Sequence, residues 1–556
     1  MILRLSVGLI ALLIMMGCNA SYPSPTAPPI ATHTPTSTAT LTPFALSPPP
    51  IQKVQPGGSL RVMSTAEPLH FDVHQEVSPA LATWGPGIIY SRLLRFKSGP
   101  QTKLPSMQIE CDLCQRWEQL DLKTYLFYLR PDVLWHDLPP VNGRSLTAHD
   151  LVYSYNRQRT KGWPNANLLG AIDALEAIDD LTLKITLKHA DADFLLSLAD
   201  SHSKIVAREA VEYRGDLKGG PNIGTGPWVW KSTTPGVGSF FERNASYFED
   251  GLPYLDMLTI HYIPDAPTRL AAFVNKAVDI HQMDPEEWQE FRERYPNAPF
   301  LLHKEPGTGL EIALNTSKPP LNKLSLRRAI FKALDPWVAM RDVWMDTAFV
   351  SLGIPVVESN WLLSEEETRS YFGQPREAES LLKQSGIATP MDLEITVGDF
   401  GDRYLAYAGR VAEELRSIGI APRLRVLNRR EFAEKAWYGG DYEMFIGAAA
   451  PASAPNSRLF TVFHSKGAWN TGGYRSTELD RLIERQAEEL DSQRRGLLIQ
   501  DIQRHILSNA LRFMPATNIS LWTWWPQVQS FHPNFSNGEY FHWSRVWLAQ
   551  AEQARE

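Results

Sequence analysis

The chain is predicted to fold as an α/β protein of several lobes. Strand-like and helix-like apolar patterns alternate along the whole body, and no segment recurs at a fixed period. Its 556 residues also exceed what one hydrophobic core holds. A hydrophobic content of 43% with 21% charged residues is that of a globular chain. The net charge of −7, without a basic cluster, argues against a nucleic-acid partner. Seventeen Trp and 18 Tyr fill cores, but their amphipathic rings also suit a polar-rimmed cleft.

In chain order, the run Leu60–Met63 after a glycine turn predicts the first strand. "TYLFYLRPDVLWHD" alternates and turns at Pro131. Thr147 is placed to cap a helix whose apolar face is Leu151, Val152 and Tyr155. Residues 181–187 alternate as a strand, and "WVWKS…SFFERN" reads as a strand pair. A strand, a turn at Pro264, a helix starting near Thr268 and a short strand at Val278–Ile280 follow. In the second half, "LEIALNTS", "DLEITVGDF", "PRLRVLN" and "YEMFIGAAA" are strands. A helix broken at Asp335-Pro336, an amphipathic helix stopped by Gly419 and a long helical region capped by Ser476 lie between and after them.

The first 17 residues carry one charge, Arg4, and then an apolar run from Leu5 to Met16, too short to span a bilayer comfortably. This is the pattern of a signal peptide. Gly17-Cys18 resembles a bacterial lipobox, which implies that Cys18 becomes the lipidated first residue; Met16 departs from the usual small residue. Residues 18–57 form an expected tether. From 19 to 52 there is no Asp, Glu, Lys or Arg, and Pro, Thr, Ser and Ala dominate, so little apolar surface offsets the entropy of ordering.

Catalytic and metal motifs are weak. "GGPNIGTGPWVWKS" lacks the P-loop spacing, and Pro227 removes a backbone donor that a phosphate cradle needs. No GxSxG or HExxH occurs, and "SHSK" lacks its partner motifs. His70 and His74 are four apart, but no third ligand is in view. No catalytic residue, cofactor or metal site is therefore expected. Cys111 and Cys114 read as a local disulfide outside the cell, or as adjacent thiols, ahead of zinc or redox chemistry.

From Gly224 the chain resembles the family 5 extracellular solute-binding proteins, the oligopeptide, dipeptide and nickel receptors of ABC importers. The matching residues are Gly224-Thr225-Gly226-Pro227, Glu242-Arg243-Asn244, Tyr247-Phe248, Pro253-Tyr254-Leu255-Asp256, Ile263-Pro264-Asp265-Ala266, Thr268-Arg269 and Ala277-Val278-Asp279-Ile280. "LTAHDLVYSYNR", "ALNTSKPPLNKLSLRRAIFKALD" and "YRSTELDRLIERQAEELDSQRR" continue the resemblance, which covers roughly residues 58–545. It implies a type II (cluster C) periplasmic-binding-protein-like fold of mixed sheets flanked by helices, with two large lobes on a hinge and three domains. Domain I would be 58–80, 208–306 and 516–550, domain II 81–207, and domain III 307–515. The implied function is capture of a peptide-like or other small solute between the lobes and delivery to an ABC permease. A monomer lipid-anchored on the outer face of the membrane, or in the periplasm, is expected, without enzymatic activity. A sensor for a membrane signalling partner, or an extracellular hydrolase on the same scaffold, is the alternative.

By position in the family pattern, the expected ligand contacts are Glu76, Val77, Ser78, Gly309, Glu311, Ala448, Pro451, Trp522 and Trp524. Alternate aromatics in "WTWW" also suit a core-facing strand. The sequence departs from peptide-binding members at 447–455, where Ala448 replaces a Trp and Pro451 the acid that anchors the peptide amine. The expectation is a non-peptide ligand such as a glycan fragment, or a peptide held otherwise.

Overall fold

The computed structural model describes residues 53–450, 452–534 and 543–549. The signal peptide, Cys18, nearly all of the tether and Pro451 lie outside the described residues. Lys53 ends one unit of the chain, and everything below belongs to the second, from Val54 on.

Three sheets carry the fold. The first has four strands in the order Ser59–Ser64, Met257–Tyr262, Gly238–Arg243, Trp228–Thr234; the first pair is parallel and the rest antiparallel. The second is antiparallel, in the order Cys114–Gln119, Thr124–Leu129, Thr182–Leu187, Ile172–Asp179. The third has seven strands: Ile280–Met283, Arg512–Trp524, Phe300–Leu314, Met444–Ala448, Met391–Gly398 and Ile420–Leu427 in order, with Ala348–Ser351 also paired to Arg512–Trp524. Parallel pairing is confined there to the last three strands, around the helix Asp402–Ser417. That helix buries Tyr407, Ala408, Val411, Ala412 and Leu415, one stripe at helical spacing. Gly419, at φ +90°, ends it as expected.

Two large cores result. One gathers Leu60, Phe127, Tyr155, Trp228 and Trp522; the other gathers Ile312, Ile330, Tyr407, Ile446 and Ile499. Two long strands run from one to the other. Along Phe300–Leu314, Leu301 packs on the first core, while Leu310, Ile312 and Leu314 lie in the second. Along Arg512–Trp524, Phe513 and Ala516 lie in the second core and Trp522 in the first. Their ladder is interrupted between the cores: Lys304 pairs with Ile519, and the next pair is Gly309 with Thr517. Four residues, 305–308, thus face only Asn518, a wide irregularity that bends the pair. The expected domain limits at 306/307 and 515/516 fall inside these two strands.

Three local expectations change. The strand near 278–280 is Ile280–Met283, because Asp279 turns its carboxylate to Arg61, accepting from its backbone N–H at 2.8 Å and from Nη2 at 2.9 Å. The long helical region is two helices, Thr477–Glu488 and Ser492–Ser508, the second begun by Asp491 accepting from Arg494 N–H. Gly224 and Gly226 of "GTGP", expected to permit a tight turn, serve close approach. A Cβ on Gly224 would lie 2.0 Å from the Ile89 carbonyl oxygen, and Gly226 N–H donates to that same oxygen. His136 clamps the stretch. Its Nδ1 accepts from Gly224 N–H at 3.3 Å, and its Nε2–H donates to the Gly226 carbonyl at 3.1 Å. Burial lowers His136 to about 4, so the ring stays neutral as these bonds require.

Candidate functional site

A cavity of about 410 Å³ lies where the two long strands cross between the cores. Its floor is the end of the first strand, Val62–Ser64, with Gln282 on Ile280–Met283, Ser520 and Trp522 on Arg512–Trp524, and Glu305 and Asn518 at the ladder break. The opposite wall comes from the second core side: Trp344, Thr347 and Arg403. Pro79 and Trp84 close a third side. The position follows from the pleat. Gln282 is registered on Trp522, and Ser520 on His303, so Gln282, Trp522, Ser520, His303 and Glu305 share one sheet face.

The site is polar with an aromatic wall. Gln282 Nε2 donates to Ser520 Oγ at 3.0 Å, and Ser520 Oγ donates to the Glu305 carboxylate. Trp84 stacks on Trp522 with ring centroids 6.0 Å apart and meets Trp543 edge-on at 5.5 Å. Trp522 Nε1 is buried with no hydrogen-bond partner among the described residues. Arg403 pairs with Glu286, tying the two core sides together at the rim. Arg269 donates to the backbone carbonyls of Ile263 and Pro264. His303, registered on Ser520, does not line the cavity; it is fully buried, and desolvation lowers it to about 4.

The sequence-expected residues fall into three groups. Trp522 lines the cavity. Trp524, two places on and on the same face, packs edge-on against Phe531 at 5.1 Å and does not line it. Glu76, Val77 and Ser78 approach the cavity without lining it, since the next residue, Pro79, does. The Glu76 carboxylate accepts from His70 N–H at 3.4 Å, Val77 faces outward at 55% exposure, and Ser78 Oγ accepts from Ala80 N–H to cap Pro79–Ala82.

Gly309, Glu311 and Ala448 are brought together by strand pairing, beyond the ladder break. Leu310 is registered on Ala448 and Glu311 on Gly447, and Ala449 N–H donates to the Gly309 carbonyl at 2.9 Å. Gly309 is required there: its φ is +139°, and a Cβ would fall 2.2 Å from the Ala516 carbonyl oxygen. Glu311 is fully buried and salt-bridged to Arg458 and, at 3.2 Å, to Arg512, so it holds the second core and not the cavity. Cys111 and Cys114 are disulfide-bonded, with Cα atoms 5.0 Å apart, away from the cavity.

No cluster of three or more potential metal ligands, around His70 and His74 or elsewhere, occurs among the described residues. His74 belongs to a buried lock on the loop leading to Ser78. The Arg157 guanidinium pairs with Asp72 and donates to His74 Nδ1 at 3.0 Å; His74 Nε2–H donates to the Lys204 carbonyl at 2.9 Å. Burial, with the Arg157 charge, lowers His74 to about 4. Burial alone raises Asp72, but Arg157 outweighs it and brings the carboxyl to about 2.

Glu305, Gln282, Asn518, Ser520 and Trp84 went unread in the sequence. A Pro-Gly-Thr-Gly run interrupting a strand pattern after Glu305 is the one signal that marks the break.

A second polar set joins the two core sides. Asp193, next to Phe194 of the first core, accepts from Arg495 Nη2 and from Asn456 N–H, both at 2.6 Å. Asn456 Nδ2 donates to Asp191 at 2.8 Å, Gln486 Nε2 donates to Asn456 Oδ1 at 2.7 Å, and Ala192 N–H donates to the Ala487 carbonyl at 2.8 Å. Burial, then the neighbouring Asp193, raises Asp191 above the ordinary carboxylate value.

Residues 102–471 match the family described as bacterial extracellular solute-binding proteins, family 5 Middle. The chain is 27% identical over 491 residues to a probable di/tripeptide-binding protein 5 of Pseudomonas aeruginosa, covering 82% of this chain and 90% of that protein. It is 24% identical over 403 residues to the dipeptide-binding protein of Escherichia coli, covering 67% and 73%. The solved structure of HbpA2 from Haemophilus parasuis superposes with a TM-score of 0.76 at 22% identity, covering 89% of this chain and all of that one. Among the described residues no helix is long and apolar enough to cross a membrane.

Proposed function

The chain belongs to the bacterial extracellular solute-binding proteins of family 5, and from that premise we propose that it is the lipid-anchored receptor of an ABC importer whose cavity takes a short peptide-like solute. The observation that carries the reading is the cavity itself. It lies where two strands cross between the cores, is walled from both sides, and its roughly 410 Å³ is within the range of small-molecule sites. Relatives named for dipeptides and di/tripeptides support the ligand class.

In this reading the protein works as a monomer and returns its ligand unchanged to the permease. Trp522 forms one wall of the ligand site, while Gly309 and Ala448 shape the backbone beside it. The domains are 58–80 with 208–306 and 516–550, then 81–207, then 307–515, with the solute between the lobes. Cys18 carries the lipid and residues 18–57 hold the body off the membrane. Native mass spectrometry of the full chain purified from its own cells tests the ligand class: a non-covalent adduct with the mass of a di- or tripeptide is expected, and a different adduct overturns it. Detergent-phase partition of the chain, lost in Cys18→Ser, tests the anchor.

A further inference from the structure

A second cavity, of about 120 Å³, opens into the core that gathers Ile312 and Ile330. No residue lines both it and the cavity between the cores. Its floor is buried and apolar, made by Leu352, Phe372, Leu507 and Phe513. Trp337, Met340 and Leu362 are only partly buried and form the rim. An apolar cavity of roughly 150 Å³ takes one benzene ring, so this one is of the size for a single ring. Its walls suit a ring in arrangement as well. Phe372 and Phe513 have centroids 4.4 Å apart at a tilt, and Trp337 meets Phe372 edge-on at 6.1 Å. Ring faces and edges therefore meet at the angles that a further aromatic ring prefers.

The polar groups lining this cavity are engaged within the protein, with one exception. Ser351 Oγ bonds Thr517 Oγ1 at 2.6 Å and accepts from Gly353 N–H at 3.0 Å. Thr368 Oγ1 donates to the Ser364 carbonyl at 2.9 Å. Gln503 Nε2 donates to the Trp361 carbonyl at 2.7 Å, and its Oε1 accepts from Leu363 N–H at 3.4 Å. Glu365 is the acid that lines the cavity, and Arg369 pairs with it at 2.8 Å, which offsets its charge. Lys304 is the exception. It is exposed, its ammonium lies 4.9 Å from the centroid of the Phe349 ring, and among the described residues no carboxylate pairs with it. An apolar floor of one ring's size beneath an unpaired cation is complementary to a ring that carries an anion.

We infer that this cavity is a binding site for a small aromatic carboxylate, with the ring on the Phe372–Phe513 floor and the carboxylate at Lys304. The inference does not depend on the peptide reading, because an occupant here leaves the first cavity free. It would touch Trp337 and Met340, which lie on the helix Pro336–Trp344, whose last residue walls that first cavity.

The test is calorimetric titration of the full chain with benzoate, and with benzyl alcohol and benzylamine as neutral and cationic probes of the same ring, for wild type and Lys304→Gln. NMR of protein carrying 13C-methyl methionine locates the site, with the Met340 signal assigned by its loss in Met340→Leu. Wild type is expected to bind benzoate more tightly than either other probe, and benzoate is expected to move the Met340 signal. Lys304→Gln is expected to weaken benzoate by about 3- to 10-fold and to remove its advantage over benzyl alcohol. Absence of benzoate binding to wild type at millimolar concentration overturns the site, and so does binding that leaves the Met340 signal unmoved. An unchanged benzoate preference in Lys304→Gln overturns the role of Lys304. A thermal melt shows whether that variant folds; if it does not, equal affinity of wild type for benzoate and benzyl alcohol overturns the same role.

Discussion

At the scale of single residues, buried charge is tolerated only where it is answered. Among the described residues, Glu311 is the one carboxylate salt-bridged to Arg458 and to Arg512, and Arg458 is fully buried. Burial lowers Arg458 below its ordinary value even beside that carboxylate. Glu311→Gln leaves two buried guanidiniums without an anion, and a loss of about 3–5 kcal/mol in urea unfolding is expected. The histidines set the acid limit. His74, His136 and His303 are each lowered to about 4 by burial, against 6.5 in the unfolded chain. Between pH 6.5 and 4 the unfolded chain therefore binds protons that the folded chain does not, and stability falls as pH falls through that window, by up to about 3 kcal/mol per histidine. His202 acts oppositely: burial lowers it, but Asp200 outweighs burial and raises it, so it works against that loss. Urea midpoints measured from pH 7 to pH 4 are expected to drop steadily, and a flat profile would contradict the buried neutral assignments.

At the scale of elements, local pattern was legible where one face of a strand or helix is buried. Thr147 caps its helix in a capping box with Asp150, and Ser476 caps Thr477–Glu488, both at the positions that the sequence marks. The alternation in Thr182–Leu187 buries Leu183, Ile185 and Leu187 on one side, as period two requires. What the sequence does not display is the partner across a long separation. Ser520 donating to Glu305 spans 215 positions, and neither residue type at either place signals a site. Glu311 shows the converse, a charged residue beside the expected cleft whose answer, Arg458, lies 147 positions away. "GTGP" was legible as a structural signature, but its reason was not, because the Ile89 carbonyl that forbids a Cβ comes from a distant segment. Gly224→Ala is expected to cost about 1–3 kcal/mol through forced displacement of that backbone, read as a lowered urea midpoint.

At the scale of the whole molecule, the bonds among Asp193, Asn456, Gln486 and Arg495 join the two core sides at a place apart from the cavity. Arg495 and Asp193 are almost fully buried, so removing one leaves the other without its partner. Arg495→Ala is expected to shift the chain toward an open form, seen as a larger radius of gyration in small-angle scattering without ligand, and to weaken ligand binding in proportion to the closed population lost. An unchanged scattering profile would show that closure is set elsewhere.

The strand Arg512–Trp524 pairs with Ile280–Met283, Phe300–Leu314 and Ala348–Ser351 at once. It joins three strands of the largest sheet, yet it is made after all of them. During synthesis the earlier strands wait, unpaired on that side, for a segment more than 160 positions downstream of the nearest of them. Such distant pairing slows folding, because the loop must close before its contacts form. A chain that must cross a membrane before it folds gains from that delay: the sheet stays incomplete until nearly the whole polypeptide has been released.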